Sequence, residues 1–343
     1  MQKDLLFKML NRTKPNIKIL IFTICLVLAI IPCGCSAPQT PISRTGFYFD
    51  TIIQITIYDS GKEKCLDECM KLADKYEKLL SSTIEGSDIW NINHSNGQPV
   101  VVSDETLILL EDALSYCDMT NGRIDLTIEA VSELWDFHEE TGNENMQNRV
   151  PDKEKIEEAL EHVDYRNLLI NDSTVILKDP EASVTLGFIA KGFIADKIKE
   201  YLLSQNVKSA IINLGGNLLA VGSKPDGTPF QFGIQKPFDK QGAIIATLPV
   251  SDRSLVSSGI YERCFYQDDV LYHHILNSST GYPVQNNLLG VTILSDSSMM
   301  GDALSTTCLV LGLDDGMALI ESLDGVEAIF ITDDYELHYS NGL

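Results

Sequence analysis

The segment from Ser297 to Thr306 contains two side chains that could bind a divalent cation together. Its serines predict a helix cap, and Asp302 would then fall in the first turn of that helix. Asp302 and Thr306 are four residues apart, so their oxygens project from one helix face. A carboxylate and a hydroxyl, with positions left open for phosphate oxygens, suit a hard ion such as Mg²⁺. A structural explanation stays open, because an aspartate near a helix N-terminus is favourable in any protein.

Other segments place small or titratable residues at the ends of apolar runs. Thr185 to Gly192 predicts a strand-to-helix junction whose N–H groups could hold an anion, although tight packing also explains its glycines. Asn213 to Asn217 predicts either close ligand approach or a plain hairpin turn. Ser257 to Glu262 follows an apolar strand and offers small donors. His273 and His274 are neighbours on a predicted strand, so only one can face a shared site, where it could take a proton.

Interleaved helices and strands must position these residues. Apolar periodicity predicts helices at 65–80, 104–117, 126–135, 153–160, 189–203, 300–311 and 317–323. It predicts strands at 51–58, 168–170, 175–177, 209–213, 217–221, 230–235, 243–248, 270–276, 288–294, 326–331 and 336–339. The sequence contains neither an internal repeat nor a proline-rich linker after residue 45. We therefore expect a single mixed α/β (α+β) domain over 46–343, with a mixed sheet and flanking helices.

The N-terminus predicts export. A basic region, Lys3 to Lys18, precedes an apolar run of thirteen residues, Ile19 to Ile31. As a helix this run is about 20 Å long, short of the roughly 30 Å of a bilayer core, so a permanent span is the weaker alternative. Gly34-Cys35 resembles the cleavage site of bacterial lipoproteins. We therefore predict a signal peptide at 1–34, a lipidated Cys35 at the extracytoplasmic face of the cell membrane, and a tether at 35–45.

The charge of the chain limits its partners. Its formal net charge is −23, and residues 1–35 carry five basic and one acidic side chains, so the remainder is near −27. Such a surface repels phosphate backbones, which disfavours nucleic-acid binding. An anionic ligand would need a metal ion or backbone dipoles to hold it. No Cys/His spacing typical of a zinc site occurs.

Eight segments, taken in order, resemble the FAD:protein FMN transferases of the ApbE type. They are Phe49–Thr51, Ser87–Asn93, Gly122–Thr127 with Leu134–Trp135, Leu186–Gly192, Asn213–Asn217, Ser257–Glu262, His274–Pro283 and Asp302–Thr306. The resemblance implies one α/β domain that binds FAD in a cleft and uses Mg²⁺ to break its pyrophosphate. FMN would pass through its phosphate to a Thr or Ser hydroxyl of an acceptor protein, and AMP would leave.

The same resemblance implies roles for individual residues. Asp302 and Thr306 would be side-chain ligands of Mg²⁺, and the main-chain carbonyl of Phe188 would be a third. Asp302 would thereby also be catalytic, and His274, rather than His273, would deprotonate the acceptor hydroxyl. The implied FAD contacts are Phe49, Arg123, Ile124, Asp125, Thr185, Lys191 and Ile275.

The acceptor and two alternative functions follow from the same features. An exported enzyme of this kind would modify the exported domain of a membrane redox flavoprotein. Similar residues could instead serve an FAD pyrophosphatase, which splits FAD into FMN and AMP without an acceptor. A tethered acidic domain could also be a flavin-binding lipoprotein, although capture alone needs no metal ligands.

Overall fold

The computed structural model of this chain describes residues 40–137, 150–240 and 242–343. Pro41 to Leu343 forms one compact unit. The predicted signal peptide, Cys35 and the first part of the predicted tether lie outside the described residues. Within the described ranges, no helix has both the length and the apolar character needed to cross a membrane.

The strands and helices are numbered in chain order. The strands are β1 (Ile42–Tyr48), β2 (Thr51–Ile57), β3 (Val100–Val101), β4 (Leu168–Asn171), β5 (Thr174–Leu177), β6 (Ser209–Leu214), β7 (Asn217–Gly222), β8 (Phe230–Gln235), β9 (Ile244–Val250), β10 (Ser254–Gly259), β11 (Cys264–Gln267), β12 (Val270–His273), β13 (Leu288–Ser295), β14 (Glu327–Thr332) and β15 (Leu337–Tyr339). The helices are α1 (Glu63–Leu80), α2 (Asp88–Asn93), α3 (Asp104–Met119), α4 (Glu129–Trp135), α5 (Lys153–Leu160), α6 (Ala190–Ser204), α7 (Ser298–Leu311) and α8 (Leu313–Glu321).

An eight-stranded sheet in the order β1-β2-β6-β7-β10-β13-β14-β15 is the centre of the fold. Its neighbouring strands pair antiparallel throughout the described residues. The mixed α+β class is therefore confirmed, but the expectation of a mixed sheet is wrong. Two-residue turns join β1 to β2 and β6 to β7, and so short a connection can join only antiparallel strands.

Helices α6 and α7 pack against each other and against the central strands of the sheet. Their facing sides are apolar, and Phe193, Ile198, Leu304 and Cys308 are almost completely buried. On the same side, α1 buries one stripe of residues that recur every three or four positions, including Cys65 and Cys69. Burial of such apolar side chains stabilises the fold by roughly 1.5–3 kcal/mol each for the larger ones. The core therefore fixes α7, which carries Asp302 and Thr306, against α6, which begins two residues after Phe188.

A second, smaller core lies around Trp135. It joins α4 to α5 through Ile156 and to the β11–β12 ribbon through Phe265, with Phe137 and Leu276 beside them. The indole Nε1 of Trp135 donates a hydrogen bond of 2.8 Å to the carbonyl of Gly281. This core therefore holds the turn that follows His274.

The position of β1 shows that the predicted tether extends too far along the chain. The prediction places residues 42–45 in the tether, but β1 begins at Ile42 and pairs with β2 along its whole length. Most β1 residues are exposed or half-buried because β1 is the edge strand of the sheet. An edge strand lacks the strong apolar alternation that predicts a strand, which explains the error.

Helix α4 is shorter than the sequence predicts, since it begins at Glu129 rather than at 126. The carboxylate of Asp125 accepts hydrogen bonds from the backbone N–H and the hydroxyl of Thr127, at 2.8 and 2.6 Å. Such a local side-chain turn competes with helix formation. The predicted strand 270–276 is also shorter and ends at His273, and β11 and α2 were not predicted.

Candidate active site

The helix that carries Asp302 begins at Ser298, two residues earlier than the predicted start at 300. The hydroxyl of Ser297 accepts a hydrogen bond of 3.2 Å from the N–H of Met300, so the predicted serine cap is present. Because α7 begins at Ser298, Asp302 lies in the second turn and not in the first. The helix dipole acts mainly on the first turn, so it does not explain this aspartate.

A buried carboxylate on α6 completes the cap of α7. Asp196 accepts hydrogen bonds from the N–H groups of Ser298 and Met299, at 2.9 and 3.0 Å, and from the Ser297 hydroxyl at 2.8 Å. Burial raises the pKa of Asp196, and these donors oppose that rise. No local sequence pattern indicates this role, because the partners are about a hundred residues apart. Asp196 fixes the start of α7 relative to α6.

Asp302 is 4% exposed, and its Oδ2 accepts a hydrogen bond of 2.9 Å from the N–H of Gly192. In a continuous helix, that N–H would donate to the carbonyl of Phe188, four residues earlier. No hydrogen bond to the Phe188 carbonyl occurs in the described residues. The Asp302 carboxylate thus replaces that carbonyl as the acceptor. Oδ2 of Asp302 and the carbonyl oxygen of Phe188 therefore both lie at the start of α6.

Burial raises the pKa of Asp302, while the charge of Lys191 and the backbone N–H groups of Gly192 and Lys191 oppose the rise. A carboxylate removed from water is costly unless a cation balances it. Lys191 supplies part of that balance. A bound cation beside the buried Asp302 carboxylate therefore fits the charges of the surrounding residues.

Thr306 lies one turn further along α7 and is half-buried. Its Oγ1 is 3.1 Å from the hydroxyl oxygen of Ser258 on β10. The described residues contain no cluster of three His, Cys, Asp or Glu side chains that could hold a metal. One carboxylate, one hydroxyl and one carbonyl nevertheless suit Mg²⁺, which keeps several water or phosphate ligands of its own.

The two adjacent histidines differ in their surroundings. His273 is 4% exposed on β12, and its Nε2 donates to the carbonyl of Val284 over 3.2 Å. His274 follows the strand, and its Nδ1 lies 3.2 Å from the carbonyl of Arg263. A carbonyl only accepts, so Nδ1 carries the proton and Nε2 of His274 has a free lone pair.

Desolvation, followed by the charge of Arg263, lowers the pKa of His274 to about 3. Desolvation also lowers the pKa of His273, to about 4. Both rings are therefore neutral at neutral pH. For His274 this leaves an unprotonated nitrogen that can take a proton from a neighbouring group.

The positive charge of Lys191 influences the pKa values of three groups from distant segments of the chain. Next to desolvation, its charge is the main influence on the pKa of Asp302, it opposes the raised pKa of Glu262, and it contributes to the lowered pKa of His274. Charge interactions of this kind act over short distances in a protein. The charge of Lys191, at the start of α6, therefore acts on groups from the segment after β10, the residue after β12 and α7. Glu262 was not singled out individually from the sequence.

The segment Gly122–Thr127, which the family resemblance places against the flavin, is hydrogen-bonded to the loop after His274. The Ser278 hydroxyl donates to the carbonyl of Gly122 at 2.5 Å, which joins the turn to the loop after His274. Arg123 is exposed and forms an ion pair of 2.8 Å with Asp315 on α8. Ile124 is 7% exposed.

Asp125, Thr185 and Ile275 are held by the protein itself. The Asp125 carboxylate accepts from the Thr127 groups and, at 3.0 Å, from the N–H of Tyr165, so its oxygens shape the turn. The N–H of Thr185 donates to the carbonyl of Leu126 at 2.8 Å. Ile275 is 6% exposed. Any contact of Asp125 with a flavin would therefore come from its backbone rather than its carboxylate.

Phe49 lies in the two-residue turn between β1 and β2. Both Phe49 and Asp50 have positive φ, at 52° and 54°, which is unusual for residues other than glycine. The N–H of Phe49 donates to Oε1 of Glu77 on α1 over 2.7 Å. In the described residues this hydrogen bond leads to α1 and not to the groups around Asp302, so the structure does not join Phe49 to that cluster.

The Asn213 to Asn217 segment forms the hairpin turn between β6 and β7. Gly215 and Gly216 have φ values of 62° and 92°. A Cβ added to Gly215 would lie 2.3 Å from Oγ1 of Thr51, so the turn also needs glycine to pass the start of β2. The hairpin interpretation is confirmed, and the ligand-binding interpretation stays a prediction.

Replacing Gly192 with alanine is expected to destabilise the α6–α7 contact. The added Cβ would lie 2.2 Å from the carbonyl oxygen of Ser298 and 2.6 Å from Cα of Met299, both backbone atoms. We expect a loss of about 1–3 kcal/mol in the free energy of unfolding, measured by urea denaturation. Gly187→Ala is the control, because its Cβ would meet nothing closer than 3.5 Å. Equal stability of the two variants would contradict the tight helix contact.

Known proteins show the same sequence pattern and fold. The model of the ApbE family matches residues 49–330. A FAD:protein FMN transferase from Klebsiella pneumoniae (strain 342) is 33% identical over 287 residues, which cover 82% of this chain and 86% of that protein. A FAD:protein FMN transferase from Treponema pallidum (strain Nichols) is 31% identical over 340 residues, covering 93% of this chain and 92% of that protein.

Two solved structures are also similar. The crystal structure of the ApbE protein from Thermotoga maritima has a TM-score of 0.79 and 28% identity, covering 88% of this chain and 98% of that chain. The flavin transferase ApbE from Vibrio cholerae has a TM-score of 0.78 and 28% identity, covering 89% of this chain and 98% of that chain. The match over residues 49–330, together with these relatives, shows that the chain belongs to the ApbE family and is a transferase enzyme.

Proposed function

We propose that this enzyme transfers FMN from FAD to a threonine or serine hydroxyl of an acceptor protein, with release of AMP. The relatives named as FAD:protein FMN transferases support the flavin transfer. The observation that carries the proposal for this chain is the buried Asp302. Its carboxylate accepts the N–H of Gly192 at the start of α6, and the charge of Lys191 acts on it. A buried carboxylate that can hold a divalent cation, with a lysine nearby, suits a site for the anionic pyrophosphate of FAD.

Asp302, Thr306 and the carbonyl of Phe188 would hold Mg²⁺. Support comes from the burial of Asp302, from the lack of a hydrogen bond to the Phe188 carbonyl in the described residues, and from the half-buried Thr306. When bound, Mg²⁺ neutralises charge on the pyrophosphate oxygens and orients them for in-line displacement.

His274 is the proposed general base. Its Nε2 would take the proton of the acceptor hydroxyl as that oxygen forms a bond to the phosphorus of the FMN half. The bond from this phosphorus to the bridging oxygen breaks at the same time, and AMP leaves with the bridging oxygen. The hydrogen bond from Nδ1 to the Arg263 carbonyl fixes the tautomer that this step requires.

The remaining residues would bind and orient FAD. Lys191 is a cation among acidic neighbours and would contact a phosphate oxygen. Arg123 and the backbone at Ile124 and Asp125 would contact the flavin, with Thr185 and Ile275 beside them. Phe49 would meet the flavin only if its turn approaches the cluster when FAD binds.

The location of the reaction is also a proposal. The basic and apolar N-terminal segments and the Gly34-Cys35 pair favour export and a lipid anchor on Cys35 at the extracytoplasmic face. An acceptor would then be an exported domain of a membrane redox flavoprotein. Labelling with a radioactive fatty acid tests the anchor, since Cys35→Ala should abolish the label.

The direct test combines the enzyme, FAD, Mg²⁺ and an exported flavoprotein domain that carries the acceptor threonine. We expect a covalently attached, fluorescent flavin that survives denaturing electrophoresis, and no label when the acceptor threonine is replaced by alanine. AMP formation at the full rate without any acceptor would favour the pyrophosphatase instead. FAD that stays bound and uncleaved in the presence of Mg²⁺ and acceptor would favour a flavin-binding lipoprotein.

A further inference from the structure

The hydroxyl groups of Ser305, Ser258 and Thr306 form a continuous chain of hydrogen bonds. The hydroxyl oxygen of Ser258 lies 2.7 Å from that of Ser305 and 3.1 Å from that of Thr306. Ser305 also donates to the carbonyl of Asp302 over 2.9 Å. The chain therefore runs from the backbone of one proposed metal ligand to the side chain of the other.

The direction of each hydrogen bond in this chain follows from proton counting. A hydroxyl has one proton, and a carbonyl can only accept. Ser305 gives its proton to the Asp302 carbonyl, so Ser258 must donate to Ser305. Because the proton of Ser258 is then used, Thr306 must donate to Ser258. The proton of Thr306 points toward β10, and the lone pairs of its Oγ1 point away from β10.

We infer that Ser258 and Ser305 are positioning residues that orient the lone pairs of Thr306 toward the cation. This inference rests on the proposed function, because it takes Thr306 as a metal ligand. A hydroxyl that turns its proton toward a cation repels it, so a fixed acceptor for that proton favours binding. Partners of metal ligands commonly contribute a factor of about 10–100 to metal affinity.

The framework holds these hydroxyls in place. Ser258 lies inside β10, opposite Val291 of β13, and not after the strand as its sequence suggested. Ser305 is 0% exposed, so its hydroxyl cannot exchange its partners for water. Neither residue was assigned a role from the sequence, because the pairing of β10 with α7 has no local signal.

The neighbouring serine provides a matched control. Side chains alternate along a strand, so Ser257 faces the opposite side of β10. Its hydroxyl lies 2.8 Å from that of Thr292, its cross-strand partner on β13. Ser257 and Ser258 thus share residue type, strand and half-burial, but only Ser258 contacts Thr306.

The test measures Mn²⁺ binding to the flavin-free protein by electron paramagnetic resonance, together with stability in urea. Ser258→Ala is expected to weaken Mn²⁺ binding by about 10–100-fold, while Ser258→Thr restores it and Ser257→Ala leaves it unchanged. The free energy of unfolding without metal is measured for each variant, so that a folding defect is recognised.

Three outcomes would overturn the inference, and they are distinguishable. If the wild type binds Mn²⁺ and Ser258→Ala binds it equally tightly, the hydroxyl chain has no positioning role, while the proposed function stands. If Ser257→Ala and Ser258→Ala lose Mn²⁺ affinity equally, the loss comes from a general disturbance of β10 and not from the hydroxyl chain. If the wild type binds no Mn²⁺ with or without FAD, the metal site of the proposed function fails as well.

Discussion

Replacing Asp302 with alanine is expected to lower kcat/KM for FMN transfer by roughly 10³-fold or more. Removing a metal ligand forfeits several kcal/mol of stabilisation of the transferring phosphoryl group, and each 1.36 kcal/mol is a factor of ten. Increasing Mg²⁺ should not restore the rate, because the buried carboxylate that would hold the ion is gone. Steady-state transfer, measured as a function of Mg²⁺ concentration, tests this result.

Structural damage must be separated from this loss. Without the carboxylate, the N–H of Gly192 loses its acceptor, at a cost of about 1–3 kcal/mol. Asp302→Asn keeps an acceptor oxygen for that N–H and removes only the charge, so it should fold like the wild type and still lack metal-dependent transfer. Asp314→Ala, at an exposed position on α8, is the control for a lost carboxylate. Normal transfer by Asp302→Asn would exclude Asp302 as a charged metal ligand.

Replacing His274 with alanine is expected to leave FAD affinity nearly unchanged and to slow transfer by about 10²–10⁴-fold, the range typical of a general base. FAD binding is followed by quenching of flavin fluorescence, and transfer by the covalent adduct in a single turnover. His273→Gln is the comparison, because the described residues show the His273 ring donating to the Val284 carbonyl. We expect this variant to have a lower free energy of unfolding but an unchanged rate of FMN transfer. Equal rates for His274→Ala and the wild type would remove His274 from its proposed role.

The lowered pKa of His274, about 3, also determines a pH dependence. The ring is neutral throughout the range from pH 8 to pH 5, so its protonation should not reduce transfer there. Stability behaves differently, because the unfolded chain binds this proton near the ordinary histidine pKa of about 6.5. Between that pH and about 3 the unfolded state binds more protons, so this contribution to stability falls as the pH decreases.

The proposed metal ligands illustrate what a sequence alone can predict. The spacing of Asp302 and Thr306 was sufficient to place both on one face of a helix, and α7 confirms that helix. The period-2 and helical patterns likewise predicted strands such as β8 and helices such as α5 with their observed bounds. These features depend on neighbours within about one or two turns, which is the range over which a local pattern carries information.

The features that a local pattern does not contain were missed or misplaced. The hydrogen bond between Gly192 and Asp302 joins residues 110 positions apart, and the cap on α7 from Asp196 spans a similar distance. The edge strand β1 lacks a buried face of its own, and its first four residues, 42–45, fall in the predicted tether. Each of these depends on how the sheet and helices pack together, so only the folded chain reveals it.

The ratio of AMP released to flavin covalently attached tests the central claim most directly. Wild-type enzyme is incubated with FAD, Mg²⁺ and an excess of acceptor domain; AMP is measured by chromatography and attached flavin by intact mass spectrometry. We predict that AMP and attached FMN form in equal amounts, and that both disappear when either Mg²⁺ or the acceptor is omitted. Release of AMP without attached flavin, at a rate independent of the acceptor, would contradict a transferase acting through Asp302 and His274.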